Sequence, residues 1–118
     1  MEIKSNNDYE VIWIDRARIK LAEMSKFNID PNLVFRRSLS LLSKDPKKVA
    51  YDLVNTDNDV GYEFNGYYWI LINNVIVIYE VLDNENKVLV DASFFANTAW
   101  AHYVFWHIEP EDWDDIKF

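Results

Sequence analysis

The sequence predicts an α+β fold: a strand, two helices, then an antiparallel meander of three or four strands, packed as a two-layer sandwich. Three observations carry this. Apolar residues recur at helical spacing between residues 16 and 44, and at alternating or continuous strand spacing after residue 66. Two helix-start signals stand at Asp15 and at Asp30-Pro31. Two short turn sequences, Asn73-Asn74 and Asp83-Asn84-Glu85-Asn86, separate runs of β-branched and aromatic residues. With 118 residues, half of them apolar, the chain holds one domain over residues 1–118 and one real core.

Taken in order, residues 1–8 are polar and are expected to form a loose arm. Tyr9 to Ile14 reads as a strand. Asp15 is placed as the cap of a first helix running from Arg16 to about Phe27, with Ile19, Leu21, Ala22 and Met24 apolar. Asp30-Pro31 opens a second helix with Leu33, Val34, Leu39, Leu41 and Leu42 inward. Lys44-Asp45-Pro46 ends it, because a residue before proline resists helical geometry. Residues 46–53 are assigned one short extra turn, 55–60 a solvated loop, and 61–65 a short additional strand. Tyr67–Ile72, Val75–Leu82 and Lys87–Phe95 form the meander, and the nearly continuous apolar run of the middle strand predicts that both its faces are covered. Ala99 to Ile108 is rich in strand formers, yet Ala99, Trp100, Tyr103, Val104 and His107 share one helical face; a helix packed on the sheet is favoured. Residues 97–118 are thus an aromatic, acidic C-terminal extension.

Charge and composition exclude several functions. Twelve basic against twenty acidic groups give −8. Residues 1–50 carry +3 and residues 51–118 carry −11. Nucleic-acid binders concentrate positive charge on the contact face, so nucleic acid is only weakly supported as a partner. Without cysteine there is no disulfide, thiolate metal site or cysteine nucleophile. Neither a membrane-length apolar run nor a signal peptide is read, so a cytoplasmic protein is expected, with no membrane partner. Gly61 and Gly66 make no phosphate loop, and no cofactor is implied.

The order and its residues resemble the RelE/ParE superfamily of bacterial toxins from toxin–antitoxin pairs. Tyr67 to Asn74, then Val75 to Asp83, then Asn86 to Val90 look like that family's central hairpin and its valine-rich next strand. Ile78-Tyr79-Glu80-Val81-Leu82-Asp83 is the nearest piece, and Leu41 to Pro46 resembles the usual end of the second helix. The likeness covers roughly residues 9–96. It implies a RelE-like fold, an antitoxin or other protein partner, and, in members that cut mRNA on the ribosome, Arg and Lys on the meander that hold the scissile phosphate. Those cations are missing. The arginine expected after the tight turn is Ile76 or Val77. The lysine expected on the preceding strand falls among Trp69, Ile70 and Leu71. The basic run expected after the last strand is Phe94-Phe95-Ala96-Asn97-Thr98. The resemblance therefore implies a toxin-type protein with a degenerate or relocated nuclease site.

Four clusters are candidates for function. His102 and Tyr103 resemble an adjacent pair that some members carry near the catalytic centre, with His as general acid or base; if the chain is an enzyme, they are its proton-transfer groups. Otherwise both rings are packing residues. Phe94, Phe95, Trp100, Phe105, Trp106 and Trp113 suit a protein partner, by which the chain would bind another protein or homodimerise without enzymatic activity. The alternative is that these rings cover the meander as an extra core layer. Arg36, Arg37, Lys44, Lys47 and Lys48 are a basic patch on the second helix and the loop after it, read chiefly as a soluble face. His107 with Glu109, Glu111, Asp112, Asp114 and Asp115 lacks regular ligand spacing and reads as an acidic tail, so no metal is expected.

Overall fold

The computed structural model describes residues 8–108. Strand β1 is Glu10–Trp13, helix α1 Asp15–Glu23 and helix α2 Pro31–Lys44. Strands β2 (Asp52–Leu53), β3 (Tyr68–Ile72), β4 (Val75–Leu82) and β5 (Lys87–Phe95) follow, then helix α3 (Ala99–Trp106). The sheet order is β1-β5-β4-β3-β2. β1 lies parallel to β5, and every other pair is antiparallel. The α+β order is the one the sequence predicts, and α3 adds a helix on the second face of the sheet.

Local chemistry explains most boundaries. The Asp30 carboxylate accepts from Asn32 N and Leu33 N at 3.1 and 3.3 Å, and Pro31 fills the first helical position. Asn73 and Asn74 both take positive φ, 49° and 65°, as a two-residue hairpin turn of matching twist requires. Two expectations fail. Asp15 does not cap α1: Ile14 is the N-cap without a side-chain bond, and Asp15 sits inside the first turn, where its charge suits the helix dipole. Residues 61–65 form no strand. Tyr62–Phe64 is a 3₁₀ turn, entered through Gly61 at φ 117°, and the short extra strand is β2 instead. The first helix also stops being α-helical at Glu23. Met24–Phe27 tightens into a 3₁₀ turn that ends on left-handed Asn28.

Two cores flank the sheet. Between the sheet and α1/α2 lie Trp13, Leu21, Val34, Leu42, Val75, Val77, Tyr79, Val88 and Val90. The helix stripe includes a buried serine, Ser38, whose hydroxyl accepts from Trp13 Nε1 at 2.9 Å and donates to Phe35 O at 2.6 Å. Tyr79 is fully buried, and its hydroxyl donates to Pro46 O at 2.6 Å, tying the loop after α2 to mid-sheet. Burial pushes that phenol's pKa up. On the other face α3 packs over Trp69, Ile76, Ile78 and Ala92.

A β-bulge at Asp91 serves both cores. Ile78 pairs with Ala92 but Tyr79 pairs with Val90, so β5 holds one extra residue. Before it Val88 and Val90 face α1/α2; after it Ser93 does, donating to Ala17 O at 3.0 Å. Asp91 and Ala92 consequently fall together on the α3 side.

Candidate functional site

The predicted aromatics separate by face. Phe105 is buried in the α3 core, 5.2 Å from Trp69 ring to ring, and Phe94 and Trp100 pack against it at 6.4 and 5.7 Å. Trp106 is more exposed but still meets Trp69 edge-on at 5.4 Å. Trp100 Nε1 donates to Val60 O at 3.1 Å, which ties α3 to the loop before β3. Phe95 points to the opposite face and stacks on Phe27 with ring centroids 4.4 Å apart. Trp113 and the carboxylates of the acidic tail lie outside the described residues.

At the sheet edge a groove of about 310 Å³ brings Phe94, Phe95 and Trp100 together with Met24 and Phe27. Lys20, Glu23 and Lys26 border it. Phe27 is 44% exposed there. Nothing in the sequence singles out Phe27 as a member of this group, because it belongs to a helix end while the other rings belong to β5 and α3.

His102 and Tyr103 are neighbours in the chain but turn different ways, as successive helical residues do. His102 Nδ1 lies 2.7 Å from Thr98 O, and its ring meets Trp106 at 5.4 Å. Tyr103 donates instead to Asp57 Oδ1 at 2.7 Å. Asp57, Asn55, Thr56, Tyr103 and His107 line a cavity of about 290 Å³. So the structure unites Tyr103 with His107 and Asp57, a grouping that adjacency in sequence did not suggest.

The basic patch is dispersed into local partners. Lys44 pairs with Asp8 at 3.0 Å, Lys47 with Asp83 at 2.5 Å, and Arg37 donates to Asn73 Oδ1 at 3.0 Å. Arg36 and Lys48 are exposed. Hydrogen bonds from Lys47 and Tyr9 hold the Asp83 carboxyl below its ordinary value, and the bond to Asp83 raises Lys47. Among the described residues no three His, Asp or Glu side chains assemble as a metal site, and no helix is long and apolar enough to cross a membrane.

One further cluster surrounds the bulge. Asp91 Oδ2 is buried without a hydrogen-bond partner. Burial, a hydrogen bond with Glu80 and the Glu80 charge push the Asp91 carboxyl up to about 7, while Arg16 opposes them. Arg16, Lys20, Gly61, Glu63, Phe64 and Asp91 border a cavity of about 320 Å³.

Against solved structures, one chain of the RelBE2 toxin–antitoxin complex from Mycobacterium tuberculosis superposes with a TM-score of 0.60. The identity is 15%, over 79% of this chain and 97% of that one. The E. coli toxin RelE, as a double arginine-to-alanine mutant in the free state, superposes with a TM-score of 0.52. There the identity is 13%, over 85% of this chain and 96% of that one.

The fold is RelE-like. No family model and no curated protein matches the sequence. In this RelE-like sheet, Trp69 and Ile76 are 3% and 0% exposed beneath α3, and Phe94 and Ala96 join the same core. Ile70 and Val77 are equally buried on the α1/α2 side.

Proposed function

We propose that this chain is a toxin-fold protein of the toxin–antitoxin type, at work in the bacterial cytoplasm, that has no mRNA-cleaving site and acts by binding a partner protein. One observation carries this reading: the positions on β3 and β4 at which the resemblance expects cations, and Phe94 to Ala96 after them, are apolar side chains packed into the two cores, and Asn97 and Thr98 beyond carry no charge. A phosphate there would meet a dry surface with no compensating charge. Removing a single donor from an oxyanion site costs about 2.7–4 kcal/mol of transition-state stabilisation, and here the whole set is replaced. His102 and Tyr103 could still move protons, but they turn toward different partners.

The test is induced expression in a bacterial host, followed by growth and pulse-labelled protein synthesis. Wild type is expected to match the empty vector. Arrest of translation by wild type, relieved in a His102→Ala, Tyr103→Ala double variant, would overturn the reading and place chemistry at that pair.

Partner binding is assigned to the Phe27–Phe94–Phe95–Trp100 groove. Its floor is apolar, and Lys20 and Lys26 against the single Glu23 leave its border net positive in a chain whose total charge is −8. The complementary occupant is a peptide segment of a partner protein with a large apolar anchor flanked by carboxylates. Selection from a displayed library of random helical peptides should return such sequences. A Lys20→Glu, Lys26→Glu chain should reverse the charge preference. Selected peptides with no charge bias, or an unchanged bias in the double variant, would refute the assignment.

A further inference from the structure

Two carboxyl groups share one sheet face at the bulge. Glu80 on β4 is opposite Leu89, and alternation from Val90 puts Asp91 on the same α3 side of β5, where the extra residue keeps Ala92 as well. A regular strand would have sent residue 91 and residue 92 to opposite faces. The Asp91 Oδ2 atom is out of contact with water and without a hydrogen-bond partner. A buried carboxylate oxygen in that state is costly, and a proton shared with Glu80 removes the cost.

We propose that Glu80 and Asp91 form a proton-sharing pair that acts as a pH-sensitive fastener, holding the start of α1 and the Tyr62–Phe64 turn against the sheet while protonated and loosening them once the proton leaves. Each element packed around the pair contributes a group that would respond. Arg16, from α1, has its Nε 3.4 Å from Asp91 O, with its guanidinium 5.8 Å from the centre of the Phe64 ring. Lys20, also from α1, and Glu63, from the 3₁₀ turn, border the same cavity. Tyr67 stands just before β3 within the field of Glu80, Asp91, Glu63 and Arg16, and its hydroxyl is held protonated by burial and by those carboxylates. When the pair carries two negative charges, repulsion and the need to solvate Oδ2 draw water into the cavity. Arg16 then gains by leaving Phe64 for the carboxylates. This device is independent of any partner in the groove, although Lys20 and Phe94 border both spaces.

The sign of the linkage is fixed. The neutral Asp91 carboxyl is the form favoured in the fold, so its contribution to stability is complete below the ordinary aspartate range. It is lost as pH rises toward about 7 and is constant above that.

The experiment is a pH titration of the full chain, reading side-chain carboxyl ¹³C shifts together with amide hydrogen exchange at residues 15–18 and 62–64. A carboxyl of the pair should titrate near neutrality. Exchange at those amides, corrected for intrinsic rate, should rise about tenfold across the same midpoint, the equivalent of one pH unit of coupled titration. Asp91→Asn should abolish both steps and keep exchange slow at pH 8. Glu80→Gln, whose amide donates to the carboxylate, should move the midpoint down and shift the exchange step with it. If both carboxyls titrate in the ordinary acidic range, or if exchange shows no step at the carboxyl midpoint, the proposal fails.

Discussion

Phe105→Ala is expected to lower the unfolding free energy by about 3–5 kcal/mol, the range for emptying a buried aromatic site. The site is well filled: Phe105 is 5% exposed and touches Trp69, Phe94 and Trp100 through ring faces and edges. Such ring pairs contribute about 0.5–1.5 kcal/mol each beyond burial. The effect reaches further than one side chain because α3 has only 8 residues. A helix of two turns has no stability of its own, so its cap at Thr98 and its apolar contacts hold it together. Removing the central contact therefore also loosens Val104 and Trp100. Against a total of about 5–15 kcal/mol for a domain of this size, the variant is marginal at room temperature. Urea unfolding followed by tryptophan fluorescence measures the loss. A change below about 1 kcal/mol would show that α3 is not docked in solution.

The legibility of this fold varied with how local each signal was. Asp30-Pro31 and Asn73-Asn74 encode their structures within two residues, and both were readable. β2 was not, because a two-residue strand has no period and is defined only by pairing with Tyr68 and Trp69. The parallel partner of β1 was also hidden, since nothing in Glu10–Trp13 names β5. α3 was ambiguous for a physical reason: with Ala101, Val104 and Phe105 buried and aromatic rings around most of its circumference, it lacks the polar face that marks a surface helix. The bulge leaves no trace in the sequence. In Lys87–Phe95 the apolar alternation Val88, Val90, Ala92, Phe94 keeps its period of two straight across Asp91, and only the pairing shows that the first two face α1/α2 and the last two face α3. The groove assembles Phe27 from the end of the first helix with rings of β5 and α3, so only the tertiary structure reveals it.

Ile76→Arg is the sharpest test of whether the sheet face under α3 can hold a phosphate-binding group. This is one of the two positions at which the resemblance expects an arginine, and its side chain lies on the α3 side with no exposed surface. Folded as described, the chain would have to bury a guanidinium among Trp69, Ile78 and Phe105, while the carboxyls on that face, Glu80 and Asp91, stand further along the strands at the bulge. Even after relaxation and water penetration, an unpaired buried ion costs several kcal/mol, so the expected loss exceeds about 4 kcal/mol and the variant should not fold. Ile76→Val, which removes one methyl, should cost only about 0.5–1.5 kcal/mol, and it separates sensitivity to charge from sensitivity to any change. Circular dichroism and urea unfolding of the three chains decide the matter. An Ile76→Arg chain that folds with wild-type stability would mean that α3 gives way and the face opens to water. A cationic floor would then be within one substitution of forming, and the proposed lack of a nuclease site would rest on side-chain identity alone. Failure to fold, with Ile76→Val nearly normal, would mean that packing also enforces the loss: α3 and an arginine at this position exclude each other.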